Sequence, residues 1–329
     1  MATTRAPGDR MVPAAGARAA GRSAQRSGQG AGLALGVLSA ACFGTSGTFG
    51  SALIGAGWSP AGAVLARVCV AALALTVPAL LTLRGRWGLL RRSARLVVVY
   101  GLVGVAACQV CYFNAIARMD VGISILLEYL GIVFIVGWLW ARHGQRPQLL
   151  TVLGGVAAIG GLGLMLDLSG AGGVSLAGVL WALAAAVAMA VYFFQSAQPG
   201  ADGEEALPPV VLTWGGMVTG AAAIAVVGAT GLMPLRFAAG DVSLANTRLS
   251  WLVPVLGVGL VAAAVAYVTG IGAARRLGAK LGSFVAMAEV LFAAGFAWVL
   301  LHQVPTGMQF LGGALILAGV VAVRLDESS

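Results

Sequence analysis

Three charged side chains stand inside long apolar stretches of the sequence: Arg67, Glu128 and Glu289. A charge at the centre of a bilayer costs at least about 2.5–3.5 kcal/mol on insertion scales, so such a residue usually faces a bundle interior or an aqueous cavity. An arginine and a glutamate at equal depth can form an ion pair. A glutamate without a basic partner can instead take up and release a proton.

The depths of these residues separate the two kinds of chemistry. At 1.5 Å per residue along a helix, Arg67 and Glu128 both lie roughly 10 Å below one surface, which predicts an ion pair. Glu289 lies roughly 13 Å from the opposite surface, and the equivalent of the Arg67 helix carries no basic residue. Glu289 is therefore the candidate for reversible protonation. A purely structural role stays open for each residue. Arg67 would fix the register of neighbouring helices, Glu128 would be its ion-pair partner, and Glu289 would be a protonated hydrogen-bond donor.

Uncharged polar side chains complete the candidate solute-binding set. They are Gln109, Tyr112, Asn114, Tyr192, Trp214 and Tyr267. Tyr112 and Tyr267 occupy equivalent positions in the two halves of the chain, which favours them as cavity-lining residues. Helix packing or an interfacial aromatic belt is the alternative for each. The sequence has no metal-ligand cluster, phosphate loop or nucleophile motif, so we predict no catalytic residue, metal or cofactor.

The composition indicates which elements hold these residues. Hydrophobic residues make up 60% of the 329 and charged residues only 9%, against about 25% charged in soluble domains. Apolar stretches of about 20 residues, each long enough to cross a bilayer, recur along the chain. We expect an all-α polytopic membrane protein and exclude a soluble enzyme or a nucleic-acid-binding domain. The four cysteines fall in apolar stretches and are interpreted as packing residues.

Ten transmembrane helices are predicted, preceded by a disordered cytoplasmic tail at 1–32 that is rich in Ala, Gly, Arg and Ser. Their ranges are 33–54, 60–83, 96–116, 121–141, 149–167, 174–198, 207–231, 251–273, 280–301 and 309–325. With the N-terminus inside, sixteen of the 20 basic residues fall on the inner side and three on the outer. By the positive-inside rule, both termini are cytoplasmic and the protein lies in the inner membrane.

The two halves of the chain resemble each other, which predicts repeats at 33–167 and 174–325. Tyr112 matches Tyr267, and Leu153-Gly154-Gly155 matches Leu311-Gly312-Gly313. Because each repeat has five helices, an odd number, the second enters the membrane from the opposite side. Two inverted five-helix repeats are typical of transporters that work by alternating access.

Two segments of the sequence resemble the EamA family of the drug/metabolite transporter superfamily. Ser59-Pro60 followed by Arg67 is similar to the signature of its second helix, and 283–293 followed by 309–320 looks like its last two helices. The resemblance covers about residues 33–325. It implies ten helices in two EamA repeats and transport of amino acids or other small metabolites, without naming the solute.

These observations predict a secondary transporter that exports amino acids or related small metabolites by alternating access. Its partners would be a small-molecule solute, with proton coupling, and the lipid bilayer, but no nucleic acid; the oligomeric state stays open. The alternatives are a membrane-embedded enzyme, a lipid-modifying protein and a passive channel. An enzyme would need clustered nucleophile, acid and base groups, whereas the three buried charges are dispersed along the chain.

Overall fold

The computed structural model describes residues 15–130, 149–165, 175–196 and 207–326. The chain is mostly helical in these ranges, with one two-stranded sheet. Its helices and strands are α1 (Ala15–Gly55), α2 (Pro60–Leu83), α3 (Trp87–Arg92), α4 (Ala94–Ile116), α5 (Val121–Leu130), α6 (Leu149–Met165), α7 (Leu176–Ser196), α8 (Pro209–Ala229), β1 (Asp241–Leu244), β2 (Thr247–Ser250), α9 (252–286), α10 (Ala288–Leu301) and α11 (Gly307–Asp326).

Ten of the helices in the described ranges correspond to predicted spans. Five of them (α1, α2, α4, α8 and α9) are long and apolar enough to cross a membrane, and five contain shorter apolar segments. This confirms a helical membrane protein with several spans. The residues 131–141 of the fourth predicted span lie outside the described residues, and the count of ten spans stays a prediction.

Two helices differ in extent from the predicted spans. The first, α1, begins at Ala15, inside the segment 1–32 that was predicted to be disordered. Its alanine-rich start favours a helix, and 41 residues make it longer than a bilayer core is thick. The second, α9, folds back on itself, because a Cβ on Gly282 would lie 3.4 Å from Cα of Ala274. A straight helix would separate these residues by about 12 Å, so the chain reverses between them, as the boundary predicted between spans eight and nine requires.

Helices from the two halves pack against each other in equivalent pairs. α2 packs on α8, α6 packs on α11, and α1 and α4 pack on α9 and α7 respectively. Small residues allow the α6–α11 contact, since a Cβ on Gly161 would lie 2.5 Å from the carbonyl oxygen of Gly312. Gly161 therefore permits close helix approach, whereas Gly160 and Gly163 have open space around them.

Two equivalent helices carry a π-helical segment. In α4 it spans Tyr100–Ala107, and in α9 it spans Gly257–Val265. A π-helix shifts the backbone bonding by one residue, and such segments are frequent at functional sites. The sequence predicted neither of them.

One connection forms a structured strap, residues 230–251, across one end of the bundle. It contains the β1–β2 hairpin, in which Asp241 pairs with Ser250. The amide of Ser59, before α2, donates to the carbonyl of Arg236 at 3.1 Å, and the amide of Ala245 donates to Leu300 at 2.9 Å. The strap therefore joins the α1–α2 turn to the end of α10.

Further contacts at the strap end show the direction of the helices. Gln303, after α10, accepts a hydrogen bond from the amide of Val121 at 3.1 Å. Gly178, near the start of α7, packs against Met119, between α4 and α5. α1 thus ends, and α7 begins, at this end, so the first helices of the two halves run in opposite directions.

Candidate functional site

Arg67 lies at the centre of the bundle with 1% of its surface exposed. One terminal guanidinium nitrogen donates to Ser46 Oγ of α1, and the other donates to the carbonyl of Ala262 in α9 at 2.7 Å. Its guanidinium carbon also lies 5.8 Å from the ring centroid of Phe113 in α4. From α2, this one side chain therefore contacts α1, α4 and α9. Its contact in α9, Ala262, belongs to the π-helical segment of that helix.

The ion pair predicted between Arg67 and Glu128 is wrong: neither residue has an ion-pair partner in the described part of the chain, and both bond elsewhere. Glu128 is 5% exposed, and its Oε1 accepts a hydrogen bond from the Cys108 thiol at 3.4 Å. Two residues at equal depth lie at the same height in the membrane, but their side chains can point in different directions around their helix axes. The two charges still interact electrostatically across the cluster.

Glu289 contacts α5 through Tyr129. The Tyr129 hydroxyl lies 3.0 Å from Glu289 Oε2 and 2.9 Å from the carbonyl oxygen of Ala286. Glu289 also interacts electrostatically with Glu128 and Arg67. The three charges that the sequence singled out therefore belong to one cluster, and both halves of the chain contribute to it.

The two equivalent tyrosines lie at the same centre. Tyr267 accepts a hydrogen bond from Gln109 Nε2 at 3.1 Å, and its ring packs edge-on against Phe43 at 4.8 Å. Tyr112 is 4% exposed and interacts electrostatically with both glutamates. Gln109 Oε1, Thr48 Oγ1 and Arg67 Nε are buried without a hydrogen-bond partner. Buried polar atoms without a hydrogen-bond partner are rare in native structures, so these three atoms are candidates for hydrogen bonds to a polar ligand.

The cluster, defined as Arg67, Gln109, Tyr112, Glu128, Tyr129, Tyr267 and Glu289, leaves three predicted residues apart. Asn114 donates to the carbonyl of Val110 and accepts from Arg118 at the end of α4. Trp214 donates to Thr76 Oγ1 at the α2–α8 contact. Tyr192 lies in α7, but its side chain is outside the part whose side chains the structure describes.

Three residues that hydrogen-bond the charged side chains of the cluster were not predicted as site residues from the sequence. Ser46 of α1 was not among the predicted residues, yet its hydroxyl oxygen accepts a hydrogen bond from Arg67. Cys108 was interpreted as inert packing, yet its thiol donates to Glu128. Tyr129 follows Glu128 directly, and this adjacency was the signal that could have identified it.

The two halves differ where Arg67 stands. Counting from Pro60 and Pro209, which begin α2 and α8, the equivalent of Arg67 is Gly216. A Cβ there would lie 2.5 Å from the ring of Tyr100, so an aromatic ring from α4 takes the space that the arginine fills in the other half. Only the first of these two equivalent positions therefore carries a charge: α2 has Arg67, and α8 has Gly216.

A separate, mostly apolar cavity of about 230 Å³ lies between α5, α10 and α11. Its polar lining residues are Asp120, Gln303 and Gln309. Partial burial raises the pKa of Asp120, which precedes α5. The cavity is lined by none of the three central charges and is distinct from the cluster.

In the described residues, a bundle of apolar helices encloses a buried polar centre built jointly by two halves, an arrangement that is typical of membrane transporters. The sequence profile of the EamA-like transporter family matches residues 30–167 and 176–325. The chain belongs to this family and carries two copies of its repeat.

Other comparisons concern the fold and curated sequences. A crystal structure of another protein has a TM-score of 0.60 and 22% sequence identity, and the match covers 90% of this chain and 98% of that chain. At this identity the likeness shows a common fold. None of the curated proteins matches the chain.

Proposed function

We propose that the protein is a secondary transporter of the inner membrane that exports amino acids or related small metabolites by alternating access. One observation carries the proposal: the only charged side chains deep in the described apolar helices meet in one cluster between the two family repeats. Solute sites of inverted-repeat transporters lie near the midplane at the repeat interface.

The chemistry of the cluster suits a solute that carries a cationic group. Glu128 and Glu289 supply carboxyl oxygens at the inner faces of α5 and α10, and Gln109 has an unused amide oxygen. Binding of an ammonium group would replace bonds now made to Cys108 and Tyr129. The phenol rings of Tyr112 and Tyr267 would contact the apolar part of the solute.

Reconstitution into liposomes tests this function against its alternatives. Labelled amino acids, other metabolites and cationic drugs would be offered to proteoliposomes, with protein-free liposomes as the control. We expect saturable counterflow of at least one solute. Unsaturable flux would indicate a channel, and product formation would indicate an enzyme.

The proposed orientation predicts a labelling pattern. In a background without the native cysteines, cysteines at Gly172 and Ser243 should react with an impermeant thiol reagent added outside, and one at Gly88 should not. Ser243 lies exposed on the strap, and Gly88 lies exposed at the opposite end of α2. The reverse pattern would refute cytoplasmic termini.

Alternating access also requires the strap end to open. The reciprocal contact of Ser59 and Arg236 ties the two repeats there, with the Arg236 amide donating to Ser59 Oγ at 2.9 Å. A cysteine pair at these positions should be within disulfide reach. Oxidation should stop transport, and reduction should restore it. The two single cysteine variants are the controls, and full transport by the cross-linked protein would show that this end does not open.

A further inference from the structure

The Tyr129 hydroxyl lies between Glu289 and an interruption in the helical backbone. α9 ends at Ala286 and α10 begins at Ala288, with a turn at Met287 between them. In a regular helix the amide of Val290 would donate to the carbonyl of Ala286. Here it donates to Met287 at 3.1 Å. The Ala286 carbonyl instead accepts from Tyr129 at 2.9 Å.

The two contacts of the Tyr129 hydroxyl depend on whether Glu289 is protonated. A phenol carries one proton, and a carbonyl oxygen can only accept. If Glu289 is ionised, Ala286 and Glu289 are two acceptors competing for that proton. If Glu289 is protonated, it donates to Tyr129 and Tyr129 donates to Ala286, so both bonds form together. In the protonated arrangement each of the two contacts, at 3.0 and 2.9 Å, has a proton of its own.

We propose that Tyr129 is a positioning residue that transmits the protonation state of Glu289 to the helix interruption at Met287. When Glu289 loses its proton, the hydroxyl turns to the carboxylate, because a charge-assisted bond is the stronger one. The Ala286 carbonyl then loses its anchor on α5, and the interruption opens. This inference rests on the proposed function in one respect, since it treats Glu289 as the group that exchanges a proton.

Among the titratable groups near Glu289, Tyr129 is the one placed to link the Glu289 carboxyl to the helix interruption. The titratable groups that interact with Glu289 are Arg67 of α2, Tyr112 of α4, and Glu128 and Tyr129 of α5. The same helices also carry Cys69 in α2 and Arg95, Tyr100, Cys108 and Cys111 in α4, and Cys42 and Tyr267 lie on α1 and α9. The described apolar part of α11, Gly307–Ala322, has none. Further along α9, Arg275 and Arg276 donate to backbone carbonyls. Within the described residues, Tyr129 is the titratable side chain that hydrogen-bonds both Glu289 and the interruption.

Amide hydrogen exchange of the purified protein in nanodiscs tests the inference without requiring transport. Exchange of the segment 286–291 would be compared at acidic and alkaline pH, after correction with an unstructured reference peptide. We expect about tenfold faster corrected exchange at alkaline pH in the unmodified protein. Glu289→Gln should give slow exchange at both pH values, because its amide donates to Tyr129 as a protonated carboxyl does. Tyr129→Phe should give fast exchange at both.

Tyr112→Phe is the matched control, because Tyr112 is a buried phenol whose described interaction with Glu289 is electrostatic. It should keep the difference between the two pH values, and protection of α6 and α11 would report that each variant is folded. A pH-independent segment in the unmodified protein, or a pH difference that survives Tyr129→Phe, would overturn the inference. If the difference is present but liposomes show no transport driven by a pH gradient, the proposed function fails while the role of Tyr129 stands.

Discussion

Replacing Arg67 with alanine should leave little stably folded protein. The guanidinium group is fully buried and bonds Ser46 of α1 and Ala262 of α9, which belong to different repeats. Without it, two buried acceptors lose a charged donor, at about 1–3 kcal/mol each. The removed side chain also leaves a cavity beside Phe113, which adds to the loss. These terms together are a large fraction of a typical stability of about 5–15 kcal/mol.

The measurement is thermal unfolding in detergent, together with the yield of monodisperse protein. Arg67→Lys keeps the charge but loses the forked geometry, so its stability should fall between those of the alanine variant and the unmodified protein. Arg118→Ala is the control, because Arg118 is an exposed arginine that donates to Asn114 at the end of α4. An Arg67→Ala protein as stable as this control would show that the tie between repeats contributes nothing to the fold.

The helical membrane class and the position of three charged residues inside apolar helices were accessible from the sequence. Both follow from one-dimensional properties: the length of apolar stretches and the cost of a charge inside them. The repeat was accessible for the same reason, because it appears as ordered matches along the chain. The family profile confirms it over residues 30–167 and 176–325.

The pairing of the charges was not accessible, because it depends on rotation about each helix axis. Arg67 and Glu128 lie at similar predicted depths, but their side chains reach Ser46 and Cys108 instead of each other. The Ala262 carbonyl that Arg67 reaches lies in a π-helical segment, in which the backbone bonding is shifted by one residue. No periodicity of apolar residues encodes that shift.

The strap was missed for a different reason. Its hairpin turns at Ala245-Asn246, with φ values of 51° and 58°. Such a turn usually carries Asn-Gly or Asp-Gly, so alanine at its first position removes the usual signal. The strap is held by backbone bonds to Ser59 and Leu300, which sequence patterns do not reveal.

Glu289→Gln should leave the protein folded and abolish any response of transport to a pH gradient. Glutamine has the shape of protonated glutamate and can donate to Tyr129, so the contact at 3.0 Å survives. It cannot release a proton, so a coupling step that depends on this position stops. The measurement is uptake into proteoliposomes with and without an imposed pH gradient, compared with exchange of solute at equal pH.

Exchange at equal pH separates coupling from solute binding. If Glu289 only carries the proton, the glutamine variant should still exchange solute at equal pH while losing the stimulation by the gradient. Glu128→Gln is the matched variant, because Glu128 is a buried carboxyl of the same cluster whose described hydrogen bond comes from the Cys108 thiol. We expect it to keep the response to the gradient and to weaken binding of a cationic solute. If Glu289→Gln instead transports with its pH dependence intact, Glu289 is a structural hydrogen-bond donor, and the proton must be carried by another group.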